Sequence, residues 1–365
     1  MKVTFPRWGP YSIVFQRFIE KLGLEVIPPE PTSDRTISDG VRIAPELYCF
    51  PLKVNLGNYL SAIRRGADTI FMFENIYGIC RFRYYGVVQQ KVLSDEFFRR
   101  KGDAPIKVIN FNLKNFFHQM RSIEDTKITL AKIVSAFRFA SLQVVIIEKV
   151  EKKAAYLRPR EINPGETDKV VDQILDRLGK IKDLKALKVL RKQAREMLSR
   201  ISIYKDKPVP KVSVFGEIYT VVDNAVNFDI EKKLGRLGIE VHRGLNLSYF
   251  IEHGLFPWTR LSLQKKTAPY LKHTVGGHGK DAVAEMVTAV EEGFYGVVQL
   301  APFACMPETT VRPILEHIHL ESGIPFLSLS FDEQTGNAGV NTRLEAFADV
   351  VMNHFESQHE HISRH

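Results

Sequence analysis

The sequence predicts an α/β protein in which two Rossmann- or flavodoxin-like lobes with mainly parallel sheets face a cleft. Short apolar segments alternate with amphipathic segments of helix length near both ends of the chain. Strands that are separated by helices of this length usually pair in parallel. The chain has 365 residues, of which 44% are apolar, and this is enough for two lobes and a helical insert between them.

The N-terminal lobe is predicted to span residues 1–111. Its expected strands are residues 2–6, 25–28, 68–74 and 106–111. Its expected helices are residues 11–22, 52–65 and 87–101. Gly23 and Gly66 follow two of these helices and are typical helix ends. The segment 28–40 is rich in Pro, Ser, Thr and Asp, so we expect a loop there.

Residues 112–208 are predicted to form the helical insert, and residues 209–365 the C-terminal lobe. The insert carries helix patterns over residues 123–148 and 166–203. In the C-terminal lobe we expect strands at 212–215, 239–242, 296–300 and 325–330, and helices at 227–237, 281–292, 307–322 and 343–356. The stretch between residue 242 and the Gly-rich turn at 276 reads as irregular, and the tail 357–365 as frayed.

The net charge of +9 is concentrated in the insert. Residues 149–211 contain 18 Lys or Arg against 9 Asp or Glu, so the rest of the chain is neutral overall. The basic residues lack interleaved aromatic residues, and this does not favour nucleic-acid binding. We expect a solvated helix face, with docking of an acidic electron donor as the alternative.

A cytoplasmic protein without a membrane segment is expected. The N-terminus lacks the charged and apolar pattern of a signal peptide. The longest apolar runs, such as 142–147, are too short to cross a bilayer. Three cysteines are too few for a disulfide scaffold, so they are either buried apolar residues or functional groups.

The position of the three cysteines favours a functional role. Each of Cys49, Cys80 and Cys305 precedes a predicted helix, and two of them follow a predicted strand. Ligands of parallel sheets bind at the carboxyl ends of the strands, so two facing lobes could bring the three thiols together. Cys49 and Cys305 also share the pattern Cys-x-Pro, which places each sulfur at a helix N-terminus, where the dipole lowers a thiol pKa.

The residues alone leave three interpretations of the cysteines open. Soft thiolates suit an iron–sulfur cluster or zinc, and three thiolates would leave one iron of a [4Fe-4S] cluster without a protein ligand. Zinc needs a fourth ligand, which His278 or His253 could supply, but the chain has no CxxC pair. The third interpretation is that the thiols are inert.

The segments around the cysteines resemble a known family. They read ELYCFPLK at 46–53, ENIYGICR at 74–81 and APFACMP at 301–307. They are similar to the D-component of 2-hydroxyacyl-CoA dehydratases, and more closely to its activase-related (CoA protein activase) branch. The segments SLSFDEQTG at 328–336 and TRLEAF at 342–347 strengthen this resemblance to the branch.

The resemblance implies a [4Fe-4S] cluster that is ligated by Cys49, Cys80 and Cys305 between α/β lobes. It also implies an ATP-hydrolysing activator or reductase as the electron donor, for a reductive or dehydrating reaction on an acyl-CoA. A larger cluster would need a partner chain, either a second homologous subunit or a second copy. The sequence has no P-loop, so we do not expect ATP hydrolysis by this chain alone. The alternative is a non-catalytic subunit that carries the cluster for electron transfer or assembly.

Further candidates accompany the cysteines. Glu74 and Glu217 end predicted strands, and either could act as a general acid or cap a backbone group. Lys53 and Arg81 could neutralise a cluster or bind an anion. Gly277 and Gly279 flank His278 in a Gly-rich turn before a helix. That turn could hold a phosphate, with His278 as a proton donor, or it could be a tight turn that needs positive φ.

Overall fold

The computed structural model describes residues 1–73, 80–101, 106–111 and 128–363. Its eight strands are β1 Lys2–Thr4, β2 Glu25–Val26, β3 Thr69–Phe73, β4 Lys107–Phe111, β5 Lys211–Gly216, β6 Glu240–Arg243, β7 Gly296–Pro302 and β8 Phe326–Phe331. The helices of the N-terminal lobe are α1 Ser12–Lys21, α2 Asp34–Ile43, α3 Phe50–Ile63 and α4 Tyr85–Lys101.

The remaining helices form the insert and the C-terminal lobe. The insert contains α5 Leu130–Leu157, α6 Glu166–Lys180 and α7 Leu184–Ser199. The C-terminal lobe contains α8 Ile218–Val222, α9 Ile230–Arg236, α10 Leu247–Leu255, α11 Pro257–Thr267, α12 Gly279–Glu291, α13 Met306–Ser322 and α14 Asn337–Ser363.

Two four-stranded parallel sheets confirm the predicted α/β class. Their strand orders are β2-β1-β3-β4 and β6-β5-β7-β8, and every described strand pair is parallel. Neither sheet closes into a barrel within the described part of the chain. Both sheets therefore have the same topology, with a switch point between their first and third strands in chain order. Open α/β sheets bind ligands at such switch points, beyond the carboxyl ends of the strands.

The predicted loop at 28–40 is wrong over its second half, where α2 begins. Ser33 caps this helix by a reciprocal capping box with Thr36. Gly40 lies inside the helix because α2 and α3 pack closely: a Cβ on Gly40 would overlap the carbonyl oxygen of Lys53. The polar residues that suggested a loop are therefore a capping motif and an exposed helix face.

Four other predictions of secondary structure need correction. The single helix predicted at 166–203 is two helices, because Asp183 caps the start of α7. The stretch predicted to be irregular after residue 242 contains α10 and α11. The short helix α8 was not predicted, and the tail expected to fray continues α14 to Ser363. Of the helix predicted at 123–148, residues 123–127 lie outside the described part, and the helix in the structure runs from Leu130 to Leu157.

Helix α5 connects the insert with both lobes. It contacts α1 of the N-terminal lobe, β6 of the C-terminal lobe, and α6 and α7 of the insert. Within the described residues, the span Leu130–Arg160 has the length and composition that would also suit a membrane crossing, and 44% of its most apolar window is buried. A core helix of a soluble protein can have the same length and composition, so the absence of a membrane segment stays a prediction.

The basic face of the insert is exposed to solvent, as predicted. Lys185, Lys188 and Arg191 of α7 point away from the apolar residues that pack against α5 and α6. Several of these charges are compensated locally, as in the pair between Lys180 and Asp176. Docking of an acidic partner on this face stays a prediction, and so do the exact domain boundaries.

Candidate functional site

The three cysteines all occupy helix N-cap positions. Cys49 caps α3, Cys305 caps α13, and Cys80 caps the 3-10 turn Arg81–Tyr84 that leads into α4. Proline at the second position of α3 and of α13 fixes the backbone at the start of these two helices. The Cys-x-Pro pattern therefore predicted the local structure of both turns correctly.

Direct contacts hold the three cysteine turns together. The amide of Phe50 donates a hydrogen bond to the carbonyl of Phe303 (3.2 Å), which joins the Cys49 turn to the Cys305 turn across the lobes. Arg81 donates from its two terminal nitrogens to the carbonyls of Leu47 (2.6 Å) and Ala304 (2.7 Å). One side chain next to Cys80 thus contacts the backbone before each of the other two cysteines.

Leu47 and Ala304 both have left-handed backbone conformations, with φ of 63° and 60°. Such conformations are unfavourable for non-glycine residues and persist where the surrounding structure imposes them. Here the carbonyl of each strained residue accepts a hydrogen bond from Arg81. We conclude that Arg81 is a positioning residue for the site, and its predicted contact with a cluster or an anion stays a prediction.

The three thiols line one cavity between the lobes, with a volume of ≈ 50 Å³. Its lining also includes the predicted candidates Glu217, Gly277 and His278. The remaining lining residues are Trp8, Pro51, Asn55, Phe82, Tyr85, Ile218, Tyr219, Phe250, Pro307 and Glu308. The turns after both switch points therefore meet at one site, as the parallel topology predicts.

Burial raises the pKa of all three thiols, which corrects the expectation of lowered values. Burial raises the pKa of Cys49 to about 11, although its hydrogen bond with the Tyr85 hydroxyl opposes this. Burial and then the carboxylate of Glu308 raise the pKa of Cys305 far above its usual range. Removal from water therefore outweighs the helix dipole, and the thiols are uncharged at neutral pH in the absence of a cation.

Two carboxyl groups share the cavity with the thiols, and Glu217 is partly buried whereas Glu308 is fully buried. Glu217 caps α8 by accepting hydrogen bonds from the amides of Tyr219 (3.1 Å) and Thr220 (2.9 Å). Glu308 is fully buried, and its Oε2 accepts a hydrogen bond from Gln299 (2.9 Å), whereas its Oε1 has no partner. Burial raises the pKa of Glu308 to about 7, despite the hydrogen bond from Gln299.

His278 is the N-cap of α12, and the polar side chains of Asp281 and Tyr249 hold its imidazole in place. Its Nδ1 lies 3.4 Å from Asp281, and Asp281 accepts a hydrogen bond from the Tyr249 hydroxyl (2.5 Å). Burial lowers the pKa of His278, but the contact with Asp281 outweighs it, so the pKa lies above its usual value. Gly276 and Gly277 precede it with φ of 87° and 47°, as a tight turn requires.

The other predicted candidates do not line the cavity or lie outside the described residues. Lys53 is mostly buried and forms an ion pair with Glu333 (2.5 Å), which links α3 to the turn after β8. Gly279 begins α12 and is packed against α13, where a Cβ would lie 3.1 Å from Val311 Cγ1. Neither residue lines the described cavity. Glu74 lies outside the described residues.

Sequence reasoning missed three polar residues of the site: Tyr85, Asn55 and Glu308. Glu308 had a usable signal, because it lies three residues after Cys305 and so in the first turn of the same helix. Asn55 follows Cys49 within α3, where its buried Oδ1 has no partner. Tyr85 had no local signal, since its contact with Cys49 depends on how α4 packs against α3.

The side chains that line the cavity are more compatible with an iron–sulfur cluster than with a single metal ion. No three His, Cys, Asp or Glu side chains in the described ranges are placed to hold one metal ion, as a tetrahedral zinc site would require. Cluster ligands bind different iron atoms and so need not converge on one point. The three thiols line a cavity together with Asn55 and Glu308, each of which has a buried oxygen without a hydrogen-bond partner.

Comparison with known families identifies a match over most of the chain. Residues 9–244 match the model of the CoA enzyme activase uncharacterised domain (DUF2229). No curated protein matches this chain. The matched region covers the N-terminal lobe except β1, the insert, and the first two strands of the second lobe, and it includes Cys49, Cys80 and Glu217. The chain therefore belongs to the CoA enzyme activase uncharacterised domain family, in agreement with the resemblance to the activase-related branch.

Proposed function

We propose that this protein holds an iron–sulfur cluster at Cys49, Cys80 and Cys305 and exchanges electrons with a partner protein of a CoA-enzyme system. One observation carries the proposal: three cysteines from two lobes, each at a helix N-cap, line the same cavity. A bound cluster would supply one-electron chemistry at low potential. The family match supports the association with CoA enzymes.

The surrounding residues have defined tasks in this proposal. The helix N-termini favour anionic thiolates once a metal offsets their burial, since binding requires deprotonation. Arg81 holds the three turns in register through the carbonyls of Leu47 and Ala304. Trp8, Phe82 and Phe250 are aromatic walls of the cavity, and they restrict the access of water.

The size of the cavity favours electron transfer over turnover of an acyl-CoA within it. Pockets for small organic ligands typically have volumes of about 300–1,000 Å³. The cavity of ≈ 50 Å³ suits a compact inorganic group and leaves little room for a thioester beside it. Of the two predicted roles, the cluster-carrying electron-transfer subunit therefore has the better structural support.

A reductive or dehydrating reaction is the second candidate, because acid–base groups line the cavity. Glu217, His278 and Glu308 could donate or accept protons there. This candidate requires the lobes to separate so that a substrate can reach these groups. It predicts turnover when the protein is mixed with an acyl-CoA, a reductant, an ATP-hydrolysing activator and ATP.

The primary test is the iron and sulfide content of protein purified without oxygen, together with its EPR spectrum after reduction. We expect about four iron atoms per chain for a [4Fe-4S] cluster. Cys49→Ser, Cys80→Ser and Cys305→Ser should each lose most of this iron. Met306→Leu is the matched control, because it removes an exposed sulfur next to Cys305 without touching a thiol. Iron-free protein after reconstitution would contradict the proposal.

A further inference from the structure

Four of the helix N-caps at the cavity lie next to the third strand of their lobe, two in each lobe. In each lobe, one N-cap belongs to the last helix before the third strand, and the other to the first helical turn after it. In the N-terminal lobe these residues are Cys49 and Cys80, and in the C-terminal lobe they are His278 and Cys305. All four residues line the cavity.

We infer that His278 is the fourth protein ligand of the cluster and takes the position in the second lobe that Cys49 has in the first. This inference rests on the proposed function, since it requires a cluster at the three cysteines. The identical strand order of the two sheets makes α3 and α12 topological counterparts. Three of the four equivalent positions carry a thiol, and the fourth carries an imidazole, which also binds iron in clusters of mixed ligation.

The polar side chains around His278 suit a histidine that binds a metal. Asp281 contacts Nδ1 at 3.4 Å, so Nε2 is the nitrogen available to the cavity. A carboxylate on the distal nitrogen fixes the tautomer and the ring orientation of ligating histidines. Asp281 is itself held by the hydroxyl of Tyr249 at 2.5 Å. The His278 side chain is only 14% exposed, so it is shielded from water.

The Gly-rich turn brings His278 close to the cysteine turns. A Cβ on Gly277 would lie 2.9 Å from Pro307 Cγ and 3.8 Å from Cys80 Cβ. A side chain at this position would therefore push the turn away from Pro307 at the start of α13. The glycine at 277 is thus explained by close approach to the site, in addition to its positive φ.

Glu308 is the competing candidate, because its Oε1 is buried without a partner. It belongs, however, to the first turn of the helix that Cys305 caps, so it shares a corner of the cavity with an existing thiol. Carboxylate oxygens prefer harder metals than the iron of a sulfide cluster. His278 comes from a separate turn and is therefore the better fourth ligand.

Pulsed EPR on reduced protein that contains ¹⁵N-labelled histidine tests the inference. We expect a nitrogen coupling in the wild type that is lost in His278→Gln. His253→Gln is the matched control: His253 stacks on Tyr249 but is not among the described residues that line the cavity, so this variant should keep the coupling. His278→Cys should keep the iron, lose the coupling and lower the midpoint potential, because a thiolate stabilises oxidised iron more than imidazole does.

Iron and sulfide content separate the two hypotheses. A full cluster without nitrogen coupling in the wild type, or with unchanged coupling in His278→Gln, would overturn the role of His278 and leave the proposed function intact. Wild-type protein that binds no cluster would overturn both. Loss of the coupling in both His278 variants, with iron retained in His278→Cys, would support the inference even if His278→Gln folds poorly.

Discussion

Helices α3 and α12 occupy the same place in the two lobes but differ in what they bury. In α3, every residue except Lys53 is buried, and the helix contains no acidic residue. In α12, the acidic residues Asp281 and Glu285 are mostly buried, on the helix that His278 caps. The same topology thus presents a thiol on an apolar helix in one lobe and an imidazole with carboxylate support in the other. Strand order sets where a ligand-bearing turn lies, and the helix behind it sets the chemistry.

The largest expected effect concerns the packing that fixes α3. A Cβ on Gly57 would overlap the carbonyl oxygen of Thr36 in α2. Gly57→Val should therefore destabilise the protein by at least about 3 kcal/mol, because neither helix backbone can move freely. Urea unfolding measures this change. Gly179→Ala is the control: it has open space around it in α6 and should stabilise by up to about 1 kcal/mol. Equal effects of both variants would contradict the close packing of α2 on α3.

The second prediction concerns the contact of Arg81 with both lobes. Arg81→Ala removes two charge-assisted hydrogen bonds to strained turns, so we expect a loss of about 1–2 kcal/mol in unfolding free energy and lower iron content after reconstitution. Arg83→Ala removes an exposed arginine of the same 3-10 turn and should change stability by less than about 0.5 kcal/mol. If the two variants behave alike, Arg81 does not position the turns.

The third prediction concerns Glu285, a mostly buried acidic residue of α12 that has no counterpart in α3. Burial raises the pKa of Glu285 to about 7 in the folded protein, from 4.5 as the ordinary value. Because the pKa of Glu285 is higher in the folded than in the unfolded protein, its contribution to stability is fully present below pH 4.5. This contribution is lost as the pH rises through 7. Glu285→Gln should therefore be more stable than the wild type at pH 8 by roughly 1–3 kcal/mol, and the difference should vanish near pH 4.

Thermal unfolding between pH 4 and pH 8 measures the effect of Glu285→Gln. Glu316→Gln replaces an exposed carboxylate of α13 and should follow the wild-type pH dependence. A Glu285→Gln curve parallel to the wild type over this range would show that Glu285 is not desolvated in the folded protein.

The smallest expected effect concerns the ion pair of Lys53 with Glu333. The two side chains are 13% and 23% exposed and connect α3 with the second lobe. A double-mutant cycle with Lys53→Met and Glu333→Gln should give a coupling of about 1 kcal/mol, since the pair is partly shielded from water. The exposed pair of Lys180 and Asp176 should give only about 0.3–0.5 kcal/mol. Equal couplings would mean that solvent reaches both pairs equally.

Much of the site could be predicted because its signals are local. Cys-x-Pro at Cys49 and Cys305 identified two helix N-caps, and the parallel class placed the cysteine turns at the same edge. The thiol pKa values could not be predicted, because desolvation depends on side chains from both lobes. The role of Arg81 was also inaccessible, since its two acceptors are 34 and 223 residues away in the chain.

The sequence by itself determined the α/β class, the order of the described strands along the chain, and the presence of a thiol at the start of three helical turns. These properties follow from periodicity, proline and glycine, which act over a few neighbouring residues. The tertiary structure decided which polar groups share the cavity and how they are charged. Glu217, His278 and Glu308 meet the thiols of Cys49 and Cys80 only because two lobes of the same topology face each other, and the energy of a buried charge depends on everything around it.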